Sequence, residues 1–169
     1  MKQTDNFKFD EANVMNELVY RNLSEDAKRQ ICAWKYGGEY DLYNLPAYEE
    51  MQVRQIGFMN PKSEKNYYGF WDESILVGFV NILEEKEEVF IGIGVNPDLC
   101  NKHYGQRMLL ITYEISKKLY PNKPLYLEVR TWNIRAVKCY QKAGFRIDGQ
   151  AYELTTGVGT GIFYRMIRE

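Results

Sequence analysis

The stretch LEVRTWNIRAVKCYQKAGF, Leu127 to Phe145, decides the reading of the chain. With the two residues before it, it opens as a strand: Leu125, Leu127 and Val129 fall on one face and Tyr126, Glu128 and Arg130 on the other, the alternation that a period of two imposes. Asn133 then stands where a helix N-cap belongs. IRAVKCYQKA follows as a short helix, and Gly144 stops it. Packing accounts for the apolar residues. It leaves Glu128, Asn133 and Tyr140 unexplained, three polar groups of different chemistry along one strand–helix unit.

Working outward, VNPDLCNKHYGQRMLL (Val95–Leu110) is a second strand-to-helix junction. Asn101 to Gly105 form a tight polar turn. The first N–H groups of a helix lack main-chain partners and lie at the positive end of its dipole, so a phosphate fits there without a cationic pocket. Gly105 removes a side chain where a ligand approaches, and Lys102 adds one charge. The order matches neither the GxGxxG of a dinucleotide fold nor the GK[ST] of a P-loop, and an ordinary capped helix explains the segment equally well on its own. Gly92 and Gly94 bracket Ile93 in the preceding strand, which marks either a bend that frees main-chain groups for an extended amide-bearing ligand or close packing of a helix over the two glycines.

The remaining segments place these two junctions in a fold. NELVYRNL, from Asn16, reads as a first strand, and Ser24 as the N-cap of a helix with Ala27, Ile31 and Trp34 at helical spacing. Pro46 opens a short helix ending near Gly57. NYYGFWD and ILVGFVNIL form a hairpin through Asp72–Ser74, EKEE (residues 85–88) is a solvated hairpin tip, and EVFIGIGVNP is a buried strand halted by Pro97. GQRMLLITYEISKKLY is an amphipathic helix ended by Pro121. FRIDGQAYEL and GIFYRMI are the two last strands, joined by a Gly-rich turn. The expected fold is α/β (α+β): about seven strands in a mixed, mostly antiparallel sheet flanked by helices.

Composition narrows the function. The 169 residues, 45% hydrophobic, suit one domain. A net charge of −1 and the lack of a basic block give no pull towards nucleic acid. Three irregularly spaced cysteines and a single histidine, His103, make neither a disulfide framework nor a metal set. Without a signal-like or membrane-length apolar run, the expectation is a cytoplasmic protein with no membrane or nucleic-acid partner and no metal. A homodimer stays open.

Together the two junctions resemble the GCN5-related N-acetyltransferases, the GNAT superfamily, from about Leu76 to the C-terminus. VNPDLCNKHYGQRML is similar to the family's pyrophosphate loop, V-x-P-x-x-[RQ]-x-x-G-x-G/A, with Cys100 in place of Arg or Gln and His103 in place of the first Gly. LEVRTWNIRAVKCYQKAGF is similar to its block N-x-x-A-x-x-x-Y-x-x-x-G-F, with Asn133, Ala136, Tyr140, Gly144 and Phe145 in place. The resemblance implies a single acetyltransferase domain over residues 1–169, with 1–15 as an N-terminal extension, 75–169 as the cofactor-binding core, and a splayed central strand pair. It implies acetyl-CoA as acyl donor, the primary amine of a small molecule or of a protein N-terminus as acceptor, and direct attack with no acyl-enzyme. Tyr140 is then the acid for the leaving sulfur and Glu128 the base for the amine. Ile93, Gly94, Val95, Cys100, Asn101, Lys102, His103, Tyr104, Gly105, Gln106, Asn133 and Ala136 would hold the cofactor. The acceptor pocket would come from Trp34 to Phe58 and Tyr152 to Phe163, shaped by Trp34, Tyr36, Tyr40, Tyr43 and Tyr48, with Glu39, Asp41, Glu49 and Glu50 as a local acidic patch. An aminoglycoside N-acetyltransferase and a non-catalytic acyl-CoA-binding domain are the alternatives.

Overall fold

Ser24 caps the first helix as its position predicts: its hydroxyl accepts the Ala27 N–H at 3.2 Å, and Glu25 and Asp26 occupy the first turn, where the helix dipole favours acids. The computed structural model describes residues 18–169. The expected N-terminal extension (1–15) and the start of the predicted first strand (16–17) lie outside the described residues.

The described elements are β1 (Val19–Asn22), α1 (Glu25–Ala33), a 3-10 turn (Gly38–Tyr43), α2 (Tyr48–Arg54), β2 (Tyr67–Asp72), β3 (Ile75–Glu84), β4 (Val89–Val95), α3 (Tyr104–Leu119), β5 (Leu125–Arg130), α4 (Ile134–Lys142), β6 (Arg146–Ile147), β7 (Tyr152–Thr156) and β8 (Gly159–Arg168). The strands form one sheet in the order β1-β2-β3-β4-β5-β8-β6, with β7 also on β8. Each pairing is antiparallel except β4 with β5, as the strand–helix–strand unit between them demands. The sheet has eight described strands rather than about seven because FRIDGQAYEL is not continuous: Asp148 N–H bonds Arg165 O at 2.8 Å, Gly149 turns at φ +75°, and pairing with β8 resumes at Tyr152.

Two apolar clusters form on the sheet. The larger holds Met108, Leu109, Ile111 and Ile115 of α3, Val137 of α4 and Leu125, Leu127 and Val129 of β5. The smaller holds Ala27, Ile31 and Cys32 of α1 with Tyr48, Met51, Phe58, Trp71 and Leu76. Of the expected apolar members of α3, Met108, Leu109, Ile111 and Ile115 are buried, Met108 and Leu109 at 0% exposure, whereas Leu119 at the helix end is 49% exposed; truncating Met108 or Leu109 to alanine costs about 2–5 kcal/mol. The predicted alternation of β5 also holds, since Leu125, Leu127 and Val129 are all core. Its opposite face is lined by Tyr126, whose ring meets Phe90 at 5.5 Å.

The segment EKEE is not merely a solvated tip. Glu85 accepts the Tyr126 hydroxyl at 3.0 Å. Glu88 is paired with Arg165, which Asp148 holds from the other side at 3.1 Å. The tip is therefore fastened to β5 and β8 at the end of the sheet where β4 and β5 are still paired.

Candidate active site

The parallel pairing of β4 with β5 covers only Val89↔Leu125 and Phe90↔Tyr126; beyond it the strands diverge. Val89 N–H reaches across to Pro124 O at 2.9 Å, so by period two the main-chain groups of Ile91, Ile93 and Val95 also aim at the gap. On the other side, Asn96 N–H bonds Val77 O at 2.9 Å, consistent with the even-numbered residues serving β3. The edge of β4 from Ile93 to Val95 thus opens onto a cleft of about 640 Å³. An unpaired strand edge is what an extended amide chain can pair with.

At the end of this edge lies the start of α3. Its first main-chain bond is Arg107 N–H to His103 O at 3.1 Å. Among the described residues, none of the N–H groups from Asn101 to Gln106 has a main-chain acceptor. Asn101 (φ +62°) and His103 (φ +64°) are both left-handed, which folds these donors into a small concave nest of the kind that holds anions. The conformation expected of glycine is therefore kept by His103 at a local cost. Gly105 has a structural reason as well: a Cβ there would meet Cys139 Sγ at 3.0 Å, so glycine lets α3 approach α4. Among the described residues, the atoms nearest to a Cβ added at Gly92 or Gly94 belong to β3 and β4 and not to a helix: a Cβ on Gly94 would strike the Phe79 ring at 2.4 Å.

The spacing of the opening stretch is the spacing of a short helix capped at both ends. The Asn133 side chain accepts the Ala136 N–H at 3.2 Å. At the other end Gly144 takes φ +91°, Gly144 N–H bonds Gln141 O at 3.0 Å, and Phe145 N–H bonds Tyr140 O at 3.0 Å. That pair of bonds is a Schellman motif, with Phe145 buried as its apolar anchor. It fixes Tyr140 one turn before the helix end. The Tyr140 ring packs on the core while lining the cleft, and its hydroxyl has no hydrogen-bond partner among the described residues. Burial raises its pKa above the ordinary phenol value, so the proton stays on through neutral pH.

Glu128 also lines the cleft. It accepts the Tyr152 hydroxyl, and its cross-strand neighbour Arg165 is already engaged by Glu88 and Asp148. The cleft brings together Ile93, Gly94, Val95, Cys100, Asn101, His103, Tyr104, Gly105, Gln106, Glu128, Asn133, Ala136 and Tyr140; Lys102 is exposed and outside its lining.

Of the aromatic residues, Trp34, Tyr36 and Tyr43 line the cleft. Tyr40 instead stacks on Trp132 at 5.6 Å, and Tyr48 belongs to the second core cluster with its hydroxyl on Glu25. Glu39, Asp41, Glu49 and Glu50 are not in the lining; Glu50 pairs with Arg54 at 2.9 Å. Two contacts have no local signature. The Tyr36 hydroxyl donates to Val95 O at 2.6 Å, and Asn133 Nδ2 donates to the Tyr43 hydroxyl at 3.1 Å, so the segment between α1 and α2 bridges both halves of the cleft. Among the described residues there is no cluster of metal-ligating side chains and no helix long and apolar enough to cross a membrane.

A sequence model described as the acetyltransferase (GNAT) family matches residues 29–145. No curated protein matches the sequence. Among solved structures, the fold is similar to a spermidine N-acetyltransferase from Vibrio cholerae in complex with CoA and spermine (TM-score 0.72, 18% identity, covering 90% of this chain and 95% of that one). It is similar to a chimera of that enzyme with hSSAT (0.71, 19%, covering 89% and 94%) and to an acetyltransferase of the GNAT family from Bacillus anthracis (0.70, 16%, covering 90% and 94%).

Proposed function

Because the chain belongs to the acetyltransferase (GNAT) family and is an acyltransferase, we propose that it moves the acetyl group of acetyl-CoA directly onto the primary amine of a small molecule. The observation that carries this is the Tyr140 hydroxyl, protonated and without a partner, in the same cleft as the open β4 edge and the unpaired N–H groups of α3.

Each residue then has a task. The N–H groups from Asn101 to Gln106 hold the diphosphate of the donor, and the edge at Ile93 and Val95 pairs with its amide-bearing arm. Ala136 and the capped start of α4 at Asn133 form the facing wall. Glu128, oriented by Tyr152, takes a proton from the ammonium directly or through a water, which leaves a nucleophilic lone pair. The nitrogen bonds to the carbonyl carbon, and main-chain N–H groups of the β4 edge stabilise the negative charge that develops on the oxygen. The carbon–sulfur bond breaks with its electron pair on sulfur. Tyr140 protonates that sulfur, and the second proton lost by nitrogen restores the phenol, so one proton reaches solvent per amide formed. No cysteine nucleophile is required.

The test is thiol release from acetyl-CoA with a panel of primary amines. With an acceptor that turns over, Tyr140→Phe lowers kcat by about 10²–10⁴-fold and leaves acetyl-CoA binding unchanged. Unchanged turnover in that variant removes Tyr140 from the mechanism.

A further inference from the structure

Arg130 is a cation buried in the wall of the acceptor side. It is 8% exposed and lines the cleft. Its one side-chain hydrogen bond among the described residues is to Gly159 O at 3.5 Å, the outer limit of such a bond. Its guanidinium lies 4.9 Å from the Phe163 ring centroid. β8 makes room for it, since a Cβ on Gly161 would stand 2.0 Å from Nη1.

No carboxylate among the described residues forms an ion pair with Arg130. The acids on this face are engaged elsewhere: Glu88 and Asp148 with Arg165, Glu85 with Tyr126 and Glu128 with Tyr152. A buried cation with no carboxylate in contact is costly, even with the charge of Glu128 two residues along the strand, and an arriving anion would balance it. Arginine's planar fork suits a carboxylate in particular.

We infer that Arg130 anchors a carboxylate on the acceptor, and that the acceptor is an amino acid or a similarly compact amino-carboxylate. This rests on the proposed transfer to a primary amine. Glu128 and Arg130 are two residues apart on one face of β5, about 7 Å between Cα atoms. The first presents a negative charge to an ammonium and the second a positive charge to an acid. A polycationic amine would set a second ammonium against Arg130 and be repelled, so the polyamine named for the similar structures does not suit this cleft.

The experiment pairs each acceptor with its uncharged counterpart: a panel of α- and ω-amino acids against their amides, by thiol release from acetyl-CoA. The acids are expected to show kcat/KM at least tenfold above the amides. Arg130→Gln raises KM for the acids about 10–100-fold while the amides keep their rate, which also serves as the control for folding; Arg130→Lys falls between. Calorimetry of the N-acetyl amino acids gives a second readout, with binding weakened by the same factor in Arg130→Gln. Amides as good as acids in the wild type, or an equal loss on both in Arg130→Gln, overturns the inference and leaves transfer intact. No turnover of any acceptor, with Arg130-dependent binding of N-acetyl amino acids, sinks the transfer reading and keeps the anion site.

Discussion

Replacing His103 with glycine is predicted to stabilise the protein. The residue sits at φ +64°, ψ +9°, as the cap of α3. A left-handed conformation costs an L-residue about 1–2 kcal/mol, with His at the tolerant end. The side chain is exposed and makes no hydrogen bond or ion pair among the described residues, so its removal forfeits nothing. Against the relief stands the greater chain entropy that glycine loses on folding, about 0.5–1 kcal/mol. With the relief at about 1 kcal/mol and the entropy loss at about 0.5–1 kcal/mol, the net gain is at most about 0.5 kcal/mol, a rise in Tm of at most about 2 °C for a domain of this size. Asn101→Gly is the internal comparison. Asn101 has φ +62°, but asparagine tolerates that region, so its gain is near zero. Urea unfolding and scanning calorimetry measure both variants, and acetyl-CoA affinity is expected to hold or tighten in His103→Gly, because a Cβ leaves the nest. A loss of stability in His103→Gly, or a larger gain for Asn101→Gly, refutes the reasoning.

Two further outcomes follow from the contact between α3 and α4. Burial pushes the Cys139 thiol up to about 11; a raised thiol pKa means less thiolate at neutral pH, so at pH 7.5 iodoacetamide labels it about 300-fold more slowly than an ordinary thiol of pKa about 8.5. The rate rises about tenfold per pH unit towards 11, and mass spectrometry of the Cys139 peptide reads it; ordinary reactivity at pH 7.5 would contradict the burial. Gly105→Ala sets a Cβ 3.0 Å from Cys139 Sγ and costs about 1–3 kcal/mol by overpacking. In a Cys139→Ala background most of that cost disappears, and a double-mutant cycle without coupling would show that the glycine is there for another reason.

The parts of the fold that were legible in the sequence are those encoded locally. The alternation of β5, the stripe of α3, the Ser24 cap and the two caps of α4 each need only neighbours within a few residues. The cleft was legible because two such junctions bring their loops to the same end of a diverging strand pair. The division of FRIDGQAYEL was not, since its alternation runs through Gly149 while the turn depends on Asp148 meeting Arg165. Nor were Tyr36 on Val95, Tyr43 on Asn133, or the commitment of Glu85 and Glu88 to β5 and β8, all of which are pairings between residues far apart in the chain. Tyr48 and Tyr40 show the same limit: an aromatic run does not say which rings face a cleft and which face a helix. The isolation of Arg130 is equally invisible in the sequence, because it is a statement about where the acids are not.

The segment between α1 and α2 is laced to the rest of the molecule at both ends of the cleft: by the Tyr36 hydroxyl on Val95 O, and by Tyr43 on Asn133, with its ring 6.2 Å from that of Trp132. On the proposed function, the segment that walls the acceptor side of the cleft also braces the strand edge and helix start that would hold the donor. Grafting residues 34–44 from a relative that lacks these two phenols would loosen the strand edge and the helix start together, and the chimera would lose its grip on the nucleotide end as it changed its taste for amines. Retargeting this scaffold has to be done one lining residue at a time, around the two fixed posts.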